Sequence, residues 1–428
     1  MSTWNPLKKA EKSKTFCVFP WIHQYVGTLG DVKPCCVYDH KTDLGNLKTN
    51  NLADIWNNQK TKELRLKMLN GEHIDECQHC NVREFLQETH RTNTNAIYFP
   101  QENVKKQVSS TQEDGTVSHH KLLYIDIRFN NLCNFKCRTC SPHFSTSLIG
   151  DFRKIHNIPS DKKQNNELQF AGRYENHALE EVLKHVDHVQ EVYFAGGEPL
   201  LQIEHYELLN ALITNTKNDD YCVRYNTNLS NLSLHNESVL DYWAKIKNVR
   251  VLASLDANHA RAEYWRKGTN WKTIVENRKK IIQNTPHVNF FICCTLSWPN
   301  SYNVVDFHKE WVEEGLIGVN DIYLNELGGP AYYALNTLPS WKKDKIKKIY
   351  DKHIEWLINY PENSDPAIRE FENAIKFMYN STEEFSCKDF HYYNLGYDKL
   401  RKENFFNVFP EHNDMKKFIE EQGYTFDF

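Results

Sequence analysis

Between Lys121 and Leu327 short apolar runs alternate with helix-like stretches, and this alternation restricts the fold more than any other feature of the chain. The runs are LLYIDIRF at 122–129, EVYFAG at 191–196, YCVRYNTN at 221–228, VRVLASLD at 249–256, VNFFICCTLS at 288–297 and DIYLNEL at 321–327. Between them lie HALEEVLKHV at 177–186, YELLNALITNT at 206–216, VLDYWAKI at 239–246, TIVENRKKIIQN at 273–284 and VVDFHKEWVEEG at 304–315. Strands separated by helices read as βαβ units, whose strands lie parallel. The pattern predicts an α/β fold, an open or partial (βα)6 TIM-like barrel. In such sheets chemistry collects at the C-terminal ends of the strands. The polar and glycine residues that close each run are therefore the candidates for a site.

The 428 residues are 40% apolar and 13% aromatic, which excludes wholesale disorder. A net charge of −4 gives no electrostatic case for nucleic acid or for an anionic membrane surface. No apolar run approaches the roughly 18 residues of a membrane span. Met1 to Lys14 is polar and lysine-bearing, without the apolar core of a signal peptide, so a cytoplasmic protein is expected. The length predicts two or three domains. Residues 1–100 carry one set of cysteines, and the polar stretch 101–120 reads as a linker or exposed loop. Residues 121–330 hold the alternating pattern, and 331–428 read as a helical C-terminal extension, a lid or an interaction surface. Helices are expected there at about 339–360 and 366–379, and the aromatic-rich segment 395–411 is expected to pack back over the barrel mouth.

Twelve cysteines are too few for a disulfide scaffold of this length. In a reducing compartment, clustered thiols read as metal ligands or reactive groups. Two clusters stand out: Cys17, Cys35, Cys77 and Cys80, then Cys133, Cys137 and Cys140. Cys222, Cys293, Cys294 and Cys387 read as structural thiols packed in apolar surroundings.

The second cluster lies in Asn130-Asn131-Leu132-Cys133-Asn134-Phe135-Lys136-Cys137-Arg138-Thr139-Cys140, directly after the first predicted strand. Three thiolates at CxxxCxxC spacing can converge on one iron–sulfur cube, whose four corners usually take four thiolates. Three leave one iron open to a substrate or cofactor, by the logic of open catalytic metal sites. The alternative is a zinc knuckle completed by His143. The loop resembles the signature of radical S-adenosylmethionine (SAM) enzymes. The resemblance implies a [4Fe–4S] cluster on the three cysteines and SAM on the open iron. It further implies reductive cleavage of SAM to a 5′-deoxyadenosyl radical, which takes a hydrogen atom from substrate. That family often has an aromatic residue just before the last cysteine, where this chain has Thr139.

Later strand ends fit the same family. Ala195-Gly196-Gly197-Glu198-Pro199 closes the second run and resembles the GGEP motif. There the glycines let backbone approach a ligand and Glu198 inherits the amino group of SAM. Asn226 closes the third run, and Ser254 with Asp256 the fourth; the resemblance places Ser254 at the ribose, with Asp256 as second choice. Arg266 resembles an arginine that meets the SAM carboxylate, a suitable task for a planar guanidinium.

The first cluster reads as a hairpin with a turn at Gly27 to Asp31, an amphipathic helix at 52–71 and a closing Cys77-Gln78-His79-Cys80. Four thiolates fully ligate either zinc or a [4Fe–4S] cube, and spacing does not choose between them. The segment resembles the Twitch domain, a shortened SPASM domain of radical SAM enzymes, here preceding the barrel. That resemblance implies a second, auxiliary [4Fe–4S] cluster, with Cys36 as a rival to Cys35. It also implies an external one-electron reductant of the flavodoxin or ferredoxin kind and a peptide or protein side chain as substrate. The alternatives are a small molecule such as a nucleotide or sugar, or a non-enzymatic zinc-binding interaction protein.

Overall fold

The computed structural model describes residues 4–39, 41–84, 90–159, 178–215, 217, 220–380 and 384–426. The N-terminal strands are β1 (His23–Val26), β2 (Asp31–Lys33) and β3 (Gly45–Asn46). They are followed by β4 (Tyr124–Ile127), β5 (Lys136–Cys137), β6 (Glu191–Phe194) and β7 (Cys222–Thr227). The rest are β8 (Ser233–Leu234), β9 (Glu237–Ser238), β10 (Asn248–Ala253), β11 (Arg266–Lys267), β12 (Asn289–Leu296) and β13 (Ile322–Glu326). Among the described residues nine of them form one sheet in the order β13-β12-β10-β7-β6-β4-β1-β2-β3. With β13 and β3 at its two edges the sheet is open, and the six strands expected from 121 to 327 are all in it. Their parallel pairing is seen for β4 with β6, β10 with β12 and β12 with β13.

The chain divides into two compact units. The first contains residues 1–131, 168–224 and 241–249. Here β1 runs parallel to β4, with Tyr25 opposite Asp126, so the N-terminal hairpin extends the sheet. Alternation sorts the strands into two faces. Ile125, Ile127, Val192 and Phe194 are buried apolar positions, while Tyr124, Asp126, Glu191 and Tyr193 alternate with them.

Two expectations for this unit are corrected. Residues 101–120 are not an exposed linker. Glu102–Ser109 is a helix whose Val104 and Val108, four apart, are fully buried. Thr111 then bridges Val117, and Trp21 Nε1 donates to Thr111 Oγ1 at 2.8 Å. The polar residues around two valines hid an amphipathic turn pattern. The helix expected at 52–71 is two helices, Leu52–Trp56 and Gln59–Asn70. Asn58 breaks it by accepting the Thr61 amide at 3.0 Å as a new N-cap.

The second unit contains residues 132–167, 225–240 and 250–428. The extension's helices Ser340–Ile358 and Asp365–Tyr379 stand where the sequence predicts them. Glu370 accepts the Leu324 amide at 2.7 Å, which occupies a donor on the edge strand β13. Among the described residues no helix is long and apolar enough to cross a membrane.

This unit buries neutral histidines. His412 is fully buried, donates from Nε2 to the Pro299 carbonyl at 2.9 Å, and burial pushes its pKa down to about 3. His308, paired with His353 at 2.9 Å, is pushed down by burial to about 4. A depressed histidine pKa means that the unfolded chain takes up protons first, as pH falls through about 6.5. Stability is therefore expected to drop between pH 7 and pH 5 by about 2 kcal/mol for each such histidine. Denaturant unfolding at the two pH values measures it, and His412→Gln should flatten the slope; an unchanged slope contradicts the assignment.

Candidate functional site

In the first unit Cys17, Cys35, Cys77 and Cys80 line a single cavity, together with His90 and Arg91. Cys17 precedes the short helix Phe19–Ile22, and Cys35 lies just after β2. Cys77 ends the turn Asp75–Cys77, and Cys80 lies on the helix Gln78–Arg83. Cys36 does not line this cavity; its Sγ lies 3.9 Å from His90 Nε2. Among the described residues no three His, Cys, Asp or Glu side chains are gathered tightly enough for a single metal ion. Burial raises the Cys17 and Cys77 thiols to about 12, with the neighbouring cysteines adding to the rise. Cluster binding would therefore release protons.

The same unit contains the end of β6. Gly196 has φ 114°, and a Cβ there would stand 3.0 Å from Arg128 Cβ and 3.2 Å from the Asn130 carbonyl oxygen. The Gly197 amide donates to that carbonyl at 3.2 Å. Only glycine permits both the left-handed backbone and the close approach. Glu198 is 1% exposed, and its Oε1 accepts the Leu200 amide at 3.2 Å, so it caps the turn Pro199–Leu201. Arg128 pairs with the buried Asp126 and lies over the Tyr25 ring at 4.3 Å.

The second unit holds the CxxxCxxC loop. Strand β5 pairs antiparallel with β11, which sets Cys137 opposite Arg266. The Cys140 amide donates to the Cys137 carbonyl at 3.2 Å, closing a turn. Ser147 Oγ donates to the Cys133 carbonyl at 2.7 Å, and Ser145 Oγ to that of Phe135 at 2.6 Å. Asn134 is held by Asn228 and Ser230, each at 2.9 Å. Gly268, φ 113°, admits the loop: a Cβ there would stand 2.8 Å from the Phe135 ring and 3.0 Å from the Asn134 carbonyl oxygen. Gly268→Ala is expected to cost about 1–3 kcal/mol in backbone strain and to reduce iron uptake at the loop. Unfolding and iron analysis check this.

Asp256 is fully buried; its Oδ2 accepts from Arg266 Nη1 at 3.0 Å and its Oδ1 from the Thr295 amide at 2.8 Å. It orients Arg266. Burial raises the Cys137 thiol, and the charge of Arg266 opposes that rise. The Ser254 amide donates to the Thr227 carbonyl at 2.8 Å. Asn226 Nδ2 lies 3.8 Å from Cys293 Sγ. Cys293 and Cys294 are buried as expected, whereas Cys222 and Cys387 are only half-buried.

One residue that sequence reasoning missed is Arg138, between Cys137 and Cys140. Its side chain is fully buried and donates to Asp398 at 2.6 Å, to Glu403 at 2.8 Å and to Asn394 at 3.3 Å. It stacks 3.9 Å from the centre of the Tyr264 ring. The C-terminal segment expected to fold back thus grips the cysteine loop itself. The expected signal was there, as an acidic and aromatic run at 395–411, but its partner was not legible.

Two family models match the chain: an iron-sulfur cluster-binding domain, SPASM, over residues 17–81, and the radical SAM superfamily over residues 127–296. Residues 127–296 of the chain carry a radical SAM domain. Its SPASM-type domain precedes the core. The radical SAM domain implies a [4Fe–4S] cluster and SAM, and the SPASM domain implies an auxiliary iron–sulfur cluster in place of zinc. No curated protein matches the chain. Among solved structures, native anSMEcpe with bound AdoMet and the Cp18Cys peptide is 19% identical, with TM-score 0.34, over 54% of this chain. The match spans only 58% of that chain's own length. Streptococcus suis SuiB is 13% identical, with TM-score 0.37, over 82% of this chain and 70% of that chain. SuiB bound to the precursor peptide SuiA is 14% identical, with TM-score 0.30, over 92% and 74%.

Proposed function

We propose that this enzyme cleaves SAM at a cluster held by Cys133, Cys137 and Cys140 and abstracts hydrogen from a peptide or protein side chain. When bound, the cluster and SAM supply one-electron cleavage to methionine and a 5′-deoxyadenosyl radical; the protein supplies position and exclusion of water. The supporting observation is the β5–β11 ribbon, which sets Arg266 opposite Cys137 and fixes that arginine with the buried Asp256. In this reading Arg266 receives the SAM carboxylate, Glu198 receives its ammonium group, Gly196 and Gly197 give backbone access, and Asn226 and Ser254 line the nucleoside. Cys17, Cys35, Cys77 and Cys80 hold the auxiliary cluster, which moves an electron or holds substrate. An external flavodoxin- or ferredoxin-like reductant feeds the enzyme in the cytoplasm. Residues 1–100 act as the auxiliary segment, 121–330 as the core and 331–428 as its extension.

The test is anaerobic reconstitution followed by SAM and dithionite. Deoxyadenosine is expected, and Cys137→Ala should abolish it; equal release from that variant overturns the reading. Deuterium appearing in deoxyadenosine from a deuterated peptide fraction, and not from a metabolite fraction, would establish the substrate class.

A further inference from the structure

The last turn of the helix Cys387–Arg401 carries a cation that the protein only half answers. The Arg401 side chain is 4% exposed. Its Nε donates to Asp151 Oδ2 at 3.0 Å, and its guanidinium lies 4.5 Å from the centre of the Tyr397 ring. Both terminal nitrogens, Nη1 and Nη2, are buried with no hydrogen-bond partner among the described residues. Burying charged donors without acceptors is costly, and such groups need an explanation.

Their surroundings give one. Asp151 also accepts from Lys136 at 3.2 Å, and Lys136 lies between Cys133 and Cys137. Tyr397 shares a core with Leu148 and Ile155, and Cys140 and Leu400 pack against it. Arg401 therefore sits on the helix that backs the cysteine loop. An iron–sulfur cluster on three thiolates is anionic and becomes more so on reduction. Hydrogen bonds to its sulfurs are a recognised lever on potential.

We propose that Arg401 contacts the radical-generating cluster, donating from Nη1 and Nη2 to its sulfurs and favouring its reduced state. The C-terminal extension would then be part of the cluster site and not only a cover. This rests on the assignment of that cluster to Cys133, Cys137 and Cys140.

The experiment is a redox titration of the reconstituted full chain with dithionite, without SAM, followed by electron paramagnetic resonance. The relevant signal is the one that Cys137→Ala removes. Arg401→Met is expected to make reduction about tenfold less favourable, a fall of 59 mV for a one-electron couple. Arg401→Lys, which keeps the charge, should recover most of that. Asp151→Asn, which frees Arg401 and Lys136 from their shared anion, should shift the midpoint upward and reads the proposal even if Arg401→Met fails to fold. A purely structural role would not move the two midpoints in opposite directions. Midpoints unchanged in these variants overturn the proposal. So does an unchanged midpoint with weakened SAM binding, which would assign Arg401 to SAM. If wild type shows no Cys137-dependent signal, the cluster assignment itself falls, and this inference with it.

Discussion

Replacing Arg138 by methionine is expected to cost about 3–5 kcal/mol, because it removes one partner of a buried charge cluster and leaves the others behind. Asp398 would keep its bonds from the Tyr264 hydroxyl at 2.6 Å and the Phe405 amide at 2.8 Å, and Glu403 would keep Lys267 at 2.7 Å. Those contacts bring the cost below that of an isolated buried carboxylate, but Asp398 would lose its one cationic partner among the described residues. Against a typical total of about 5–15 kcal/mol, this is a large share. The damage should be local at first: the segment 387–409 should loosen from the cysteine loop and become open to limited proteolysis. The double variant Arg138→Met with Asp398→Met should be less destabilised than the sum of the singles, since an apolar replacement of a buried pair is often neutral. Denaturant unfolding of the four proteins measures the coupling. A loss under about 1 kcal/mol for Arg138→Met would show that the node adds little to stability.

The strands were legible because their chemistry is local. Period-two alternation on either side of Asp126 or Tyr193, with helix-period stretches between, needs no knowledge of partners. The CxxxCxxC loop was legible for a similar reason, since ligand spacing within a loop is a short-range property, whereas Cys17, Cys35, Cys77 and Cys80 lie on separate elements and only their closing CxxC is local. What escaped was long-range. Arg138 reads as an ordinary charged loop residue until Asp398 and Glu403, more than 250 positions away, are brought to it. Asp256 reads as a ligand-binding carboxylate until Arg266 and the Thr295 amide take its oxygens. Cys35 and Cys36 are neighbours in sequence and differ only in which way the chain turns after β2. The helix at 102–109 was hidden because its burial rests on two valines, which composition averages away.

Removing one set of cysteines at a time should separate the two clusters in iron and in chemistry. A chain with both clusters should hold about eight iron, four for each cube. Cys77→Ala with Cys80→Ala should leave about four and should retain deoxyadenosine formation, because the cysteine loop belongs to a unit whose own contacts hold it: the β5–β11 ribbon, Ser145, Ser147 and Arg138. Cys137→Ala with Cys140→Ala should also leave about four, but deoxyadenosine should be lost entirely. The first pair should be the less stable apoprotein if its cavity does not collapse, since Cys80 is buried and removing its sulfur enlarges the space it lines. If the Cys77/Cys80 variant lost deoxyadenosine too, with its remaining iron intact, the auxiliary cluster would have to lie on the electron route into SAM. Full ligation by four thiolates suits that role, because such a cube has no corner left for substrate. Retained deoxyadenosine with no substrate turnover would instead place the auxiliary cluster after hydrogen abstraction, as the acceptor of the electron that the substrate radical gives up.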